Sequence, residues 1–128
     1  MITVKTEQEI DLMREPCAIV RDTLAYVGSK VRPGVTTAEL DAYAEKYIRS
    51  RGAEPSCLGY SGYPASICAS VNEEVVHGIP GDRVLRSGDI VSIDLCAYKN
   101  GFHGDGARTF AVGEIDAEKS KLIRVTEE

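Results

Sequence analysis

The stretch from Gly88 to Gly113, GDIVSIDLCAYKNGFHGDGARTFAVG, constrains this chain more than any other. Two segments suited to strands, Asp89 to Tyr98 and Gly101 to Val112, flank Asn100-Gly101. An Asn-Gly pair between alternating segments signals a two-residue hairpin loop, because both loop positions need positive φ and these two residues tolerate it. That loop sets the register: Lys99 opposite Phe102, Tyr98 opposite His103, Cys96 opposite Asp105 and Asp94 opposite Ala107. Cross-strand partners share a face, so Ser92, Asp94, Cys96, His103, Asp105 and Thr109 point one way. Val91, Ile93, Leu95, Phe102 and Phe110 point the other way and form a core face.

Asp94 and Asp105 then lie diagonally on the polar face, with Cα atoms roughly 7–8 Å apart in that geometry. Two carboxylates aimed at one semi-enclosed spot repel, and one pKa must rise unless a cation lies between them. Carboxylate oxygens are hard ligands, so a divalent metal, or a pair about 3.5–4 Å apart, resolves the conflict. Solvation on an open sheet face is the alternative. Aspartate is depleted in strand interiors, and Gly104 and Gly106 flank Asp105, marking a bulge or a close approach by another backbone or a ligand.

The 128 residues fit one domain, and 43% hydrophobic with 27% charged is ordinary globular composition. The net charge of -5 and the lack of a basic cluster argue against nucleic acid as a partner. No apolar run approaches membrane-spanning length, so no membrane partner is expected, and MITVKTEQEID lacks a signal-peptide layout; the reading is cytoplasmic. Cys17, Cys57, Cys68 and Cys96 include no C-x2-C pair, and without a secretory context they are read as reduced, mostly buried thiols.

Thr6 and Glu9 form a capping box, and Ile10, Met13, Cys17, Val20, Leu24 and Val27 recur at helical spacing, with a kink or break expected near Arg14 to Pro16. After the turn at Arg32-Pro33-Gly34, Thr36 and Glu39 form a second capping box. Leu40, Tyr43, Ala44, Tyr47 and Ile48 stripe a second helix that should stop at Gly52. Both helices are scaffold for the outer face of a sheet. Ser66 to Ser70 reads as a strand, Asn72-Glu73-Glu74 as a turn, and Val75 to His77 as the returning strand. Asp116 caps a last helix from Ala117, whose repeat has only begun when the sequence reaches Glu128, so the chain reads as cut within a helix.

Between Pro55 and Pro64 the chain is irregular and aromatic, PSCLGYSGYP, with Tyr60 and Tyr63 offering flat surfaces with polar tips. His77 precedes Gly78-Ile79-Pro80, which ends strand pairing and opens space around the imidazole. Its neutral ring can donate to a peptide oxygen or an oxyanion near neutral pH. His103 shares the polar face with Asp105 and is a rival metal ligand, read here as a hydrogen-bonding neighbour of the carboxylates.

Taken together, IDLCAYKNGFHGDGARTF and the preceding CLGYSGYPASICASVNEEVVHGIPG resemble the first half of the type I methionine aminopeptidases, metal-dependent enzymes of peptidase family M24. The resemblance runs from about Thr6 to Glu128 and implies an α+β fold, half of a pita-bread fold, with an antiparallel sheet and helices packed on its outer face. It implies residues 1–128 are the amino-terminal half of a catalytic domain that removes initiator methionine from N-terminal Met-X peptides of nascent proteins, with a possible ribosome contact. It implies two divalent metal ions, of cobalt, manganese, iron, zinc or nickel, with Asp94 on one and Asp105 bridging both. His77 would contact substrate near the scissile bond as the catalytic residue, and Cys57, Tyr60, Tyr63 and Cys68 would shape the pocket for the first side chain. Ser61 stands where many bacterial-type members have His. A His and two Glu of the complete site belong to the missing carboxy-terminal half, so the fragment alone is expected to be inactive or weak. A homodimer pairing two such halves, an inactive binding module of the same fold, and an inert truncated fragment are the alternative readings.

Overall fold

The structure, a computed structural model, describes residues 2–128. Its first helix, α1 (Glu7–Gly28), starts with the reciprocal box expected from sequence: the Thr6 hydroxyl accepts from the Glu9 amide and the Thr6 amide donates to the Glu9 carboxylate. The buried face comprises Pro16, Ile19, Val20, Thr23, Leu24 and Val27, so the seam begins later than the predicted stripe and leaves Ile10 43% exposed. Pro16 does not break the helix. Its missing N–H leaves the Leu12 carbonyl without the usual partner, and the Asn100 side chain donates to that oxygen at 3.3 Å. Lys99 and Asn100 also bind Glu15, at 2.6 and 3.0 Å, so the hairpin turn docks where the helix has a spare acceptor.

The second helix, α2 (Thr37–Ser50), is capped by Thr36, whose hydroxyl accepts from Glu39 N; only that half of the predicted box forms. Leu40, Ala44 and Ile48 are buried, and Gly52, just past the end, takes the positive φ of 73° that a helix terminus of this kind needs.

The sheet has four strands, β1 (Glu54–Pro55), β2 (Ile67–Val71), β3 (Ile90–Lys99) and β4 (Phe102–Ala111), and every pairing is antiparallel. β3 is central, with β4 along one side and β2 and β1 in succession along the other. Asn100 and Gly101 have φ of 58° and 80°, and the register matches the sequence-derived pairing from Lys99–Phe102 to Asp94–Ala107. Val91, Ile93, Leu95 and Ala97 are fully buried against α1 and α2, while Ser92, Asp94 and Cys96 face the other side half-buried. No bulge interrupts the β3–β4 ladder. Gly104 and Gly106 instead admit α1: a Cβ at Gly104 would lie 2.7 Å from the Pro16 carbonyl oxygen, and one at Gly106 2.8 Å from Val20 Cγ1.

The predicted strand from Val75 to His77 is absent. Val75 is 86% exposed, and His77 adopts φ 59°, a left-handed conformation that cannot continue a ladder. Only Gly78 meets β2, its carbonyl accepting from Ala69 N at 2.8 Å and its amide donating to Ser70 Oγ at 3.1 Å. The close-packed Gly78 and Ala69 backbones leave no room for a side chain at position 78. The last helix, α3 (Ala117–Glu127), is capped by Asp116 and has no buried residue. Among the described residues, no helix is long and apolar enough to cross a membrane.

Seating of α1 on glycines gives a direct test. Gly104→Ala should lower stability by about 1–3 kcal/mol, the usual range for overpacking, whereas Gly81→Ala, with nothing within 4 Å of an added Cβ, should change little. Urea unfolding of the two variants measures this, and equal midpoints would mean that α1 does not rest on β4 as described.

Candidate metal and substrate site

Alternation along β3 and β4 aims Asp94, Cys96 and Asp105 at one point, where a carboxylate oxygen or sulfur from each lies within 4.8 Å of the others. The diagonal expectation for the two aspartates therefore holds. Burial pushes the Asp94 carboxyl above its ordinary value, and the shared hydrogen bond and charge of Asp105 push it further, against a pull from His77. Cys96 donates its thiol proton to Asp105 Oδ1 at 3.2 Å. Two hard oxygen donors and one soft sulfur, with unresolved repulsion between the oxygens, suit a divalent cation.

This cluster floors a cavity of about 670 Å³. Its walls carry Cys57, Tyr60, Tyr63, Cys68 and His77, so the fold gathers these five residues with Asp94 and Asp105 into one space. Tyr60 and Ser61 stand at the rim on a single 3-10 turn (Tyr60–Gly62), with Tyr60 76% exposed and Ser61 in a left-handed φ of 48°. The Tyr63 hydroxyl donates to the Ile67 carbonyl at 2.9 Å and lies 3.4 Å from that of Gly78. Burial raises both the Tyr63 phenol and the Cys68 thiol above their ordinary values.

His103 is not drawn into the cluster. Its Nδ1 pairs with Ser56 Oγ at 2.8 Å and its ring lies against Tyr98, so it braces β1 against the hairpin instead of partnering Asp105. The thiols are also less buried than expected. Cys68 is buried, Cys57 and Cys96 are half-buried because they face the cavity, and Cys17 lies exposed off the seam of α1. A hydrogen bond with Cys96 lowers Cys57 to about 7, while that bond, burial and Asp105 together raise Cys96.

Asp41 was missed in the sequence. It sits half-buried on α2 beside the buried Leu40, and its Oδ1 accepts from Ser66 N at 2.8 Å and Ile67 N at 3.0 Å, fixing the start of the strand that carries Cys68. Its signal was an acidic residue flanking an apolar stripe, which spacing alone does not separate from a solvated face.

The family model for metallopeptidase family M24 matches residues 11–128. A methionine aminopeptidase of Clostridium perfringens is 56% identical over 128 residues, covering all of this chain and 51% of that relative. Methionine aminopeptidase 1 of Bacillus subtilis is 52% identical, again over the whole chain and 52% of the relative. The crystal structure of a methionine aminopeptidase from Rickettsia prowazekii superposes with a TM-score of 0.96 at 39% identity, covering 99% of this chain and 51% of that one. The chain thus spans about half the length of the curated relatives it matches. A prolidase from Pyrococcus furiosus, 22% identical with a TM-score of 0.79, shares the fold.

Asp41 generates the prediction here. Burial raises its native pKa above the unfolded value, so the native state holds the proton more tightly. Stability should therefore fall as pH rises from the unfolded carboxyl value through the raised one, then level off. Asp41→Asn keeps the accepting oxygen and should lose that slope in urea unfolding at stepped pH. Asp41→Ala leaves two amides without an acceptor and should cost about 1–3 kcal/mol at any pH.

Proposed function

Because the chain belongs to metallopeptidase family M24, we propose that it forms the amino-terminal half of a methionine aminopeptidase that releases initiator methionine from nascent proteins in the cytoplasm. The observation that carries this reading is the convergence of Asp94 and Asp105 at the floor of a cavity walled by Tyr60, Tyr63, Cys57 and Cys68. Asp94 and Asp105 would hold two divalent ions, of manganese, iron, cobalt, zinc or nickel according to supply. Bound there, such ions would supply the Lewis acidity that hydrolysis of a peptide bond needs.

The remaining work falls to the chain's own side chains. Cys57, Cys68 and Tyr63 present a soft, largely apolar wall on which an unbranched thioether packs well. The exposed ring of Tyr60 at the rim covers the entering residue and restricts water. His77, in a left-handed conformation between Val76 and the anchored Gly78, lines the same cavity as the two carboxylates, and its imidazole would donate to the scissile carbonyl oxygen or to the next carbonyl oxygen of the substrate. Ser61, smaller than the histidine common in bacterial-type relatives, leaves a shorter hydrogen-bonding group at the mouth.

Two carboxylates give too few ligand atoms for a pair of five- or six-coordinate ions, so a completing half is required for turnover. The test mixes this chain with the carboxy-terminal half of the Clostridium perfringens relative and follows methionine release from a Met-Ala-Ser peptide. Release should need added manganese, stop with chelator, and fall at least about a hundredfold with Asp105→Asn. A pair that associates in sedimentation yet releases no methionine with any of the five metals overturns the reading.

A further inference from the structure

His77 reaches the cavity on an exposed segment: from Glu73 to Ile79 every residue is exposed except Gly78. Its φ of 59° is a conformation that a residue with a side chain keeps only where its surroundings impose it. The imposing contacts fall on the next residue. In an antiparallel hydrogen-bonded pair two residues exchange both N–H···O bonds. Ala69 and Gly78 exchange one: Ala69 N donates to the Gly78 carbonyl at 2.8 Å, while Gly78 N turns to Ser70 Oγ at 3.1 Å. Ser70 is 5% exposed and follows Cys68 on the same face of β2, paired with Ser92 as Cys68 is paired with Asp94. Its hydroxyl thus takes the donor that would otherwise extend the ladder, and the chain leaves the sheet beside the residue that lines the cavity. The missing side chain at Gly78 permits this, since a Cβ there would lie 2.9 Å from the Ser70 Cα.

We propose that Ser70 is a positioning residue for His77: its buried hydroxyl, by anchoring the Gly78 amide, sets the left-handed turn that presents the imidazole to the cavity. What His77 does to substrate rests on the function proposed above, whereas the anchoring does not. Ser70 itself touches no substrate and moves no proton. Without its oxygen the buried Gly78 amide has lost its acceptor and rotates toward the Ala69 carbonyl, the partner a regular ladder would give it. The Gly78 carbonyl stays tied to Ala69 N and lies 3.4 Å from the Tyr63 hydroxyl, so the segment remains attached while His77 turns away.

The test reads His77 directly by NMR of the full chain, which has only two histidines, so His103 serves as an internal control. Positive φ brings a residue's own amide and α protons close, and the unaltered chain should show a strong cross-relaxation peak between them at His77. Ser70→Ala should weaken that peak at least twofold and shift the His77 ring signals while leaving those of His103 in place. Ser70→Cys, which fills the space with a weak acceptor, should do the same and replaces the alanine variant if that one does not fold. With the completing half added, either variant should lower kcat for the Met-Ala-Ser peptide at least about tenfold with little change in KM, and should cost nothing further in a His77→Ala background. An unchanged His77 peak in the folded variants, or the same fold-loss in kcat with and without the His77 side chain, overturns the inference. A weakened peak together with an unaltered pair that releases no methionine sustains the anchoring and overturns only the peptidase reading.

Discussion

Positive φ at two consecutive residues, Asn100 and Gly101, is the constraint from which the rest of this molecule follows. A strand pair has a side-chain period of two, so shifting the loop by one residue would turn Asp94 and Asp105 into the core and Val91, Ile93 and Leu95 into solvent. The turn is therefore held from outside as well. Asn100 reaches the Leu12 carbonyl that Pro16 leaves open, and Lys99 pairs with Glu15 while donating to the Arg51 carbonyl, so both helix scaffolds meet at the hairpin tip. A residue that ordinarily ends helices has become the socket for the element that sets register.

The same parity concentrates cost and use in one place. Burying a carboxylate beside another is unfavourable, and the raised Asp94 records that cost. The opposite face compensates through a continuous apolar core from Ile19 to Val112, which tolerates a strained spot because it does not share it. Acidic convergence and the thiol-bearing cavity wall are adjacent because β2 and β3 pair Cys68 directly with Asp94.

Much of this was legible in the sequence, for physical reasons that differ by element. The hairpin and its faces could be read because a two-residue loop leaves no freedom of register, and Thr6 and Asp116 because caps are local chemistry. What failed depended on distant partners. Pro16 was expected to kink or break α1, but the helix runs through it unbroken, with the relieving donor eighty-four residues away in Asn100. Val75 to His77 was expected to pair because its residues favour strands, yet the backbone hydrogen bond to β2 comes from the next residue, Gly78. His103 shared the right face but found Ser56, and Asp41 looked like helix surface until the start of β2 arrived to use it. Local rules carried the converging carboxylates and the cavity walls, while long-range hydrogen bonds decided which neighbours supported them.

The phenol of Tyr63 ties together three pieces of chain that are otherwise separate. It reaches the strand bearing Cys68 and the segment bearing His77 while belonging to the loop bearing Tyr60. Such a cross-brace makes the walls a single mechanical unit, shaped before any guest arrives. Whatever guest enters this space therefore meets a ready mould, and little of its contact energy goes into ordering the host.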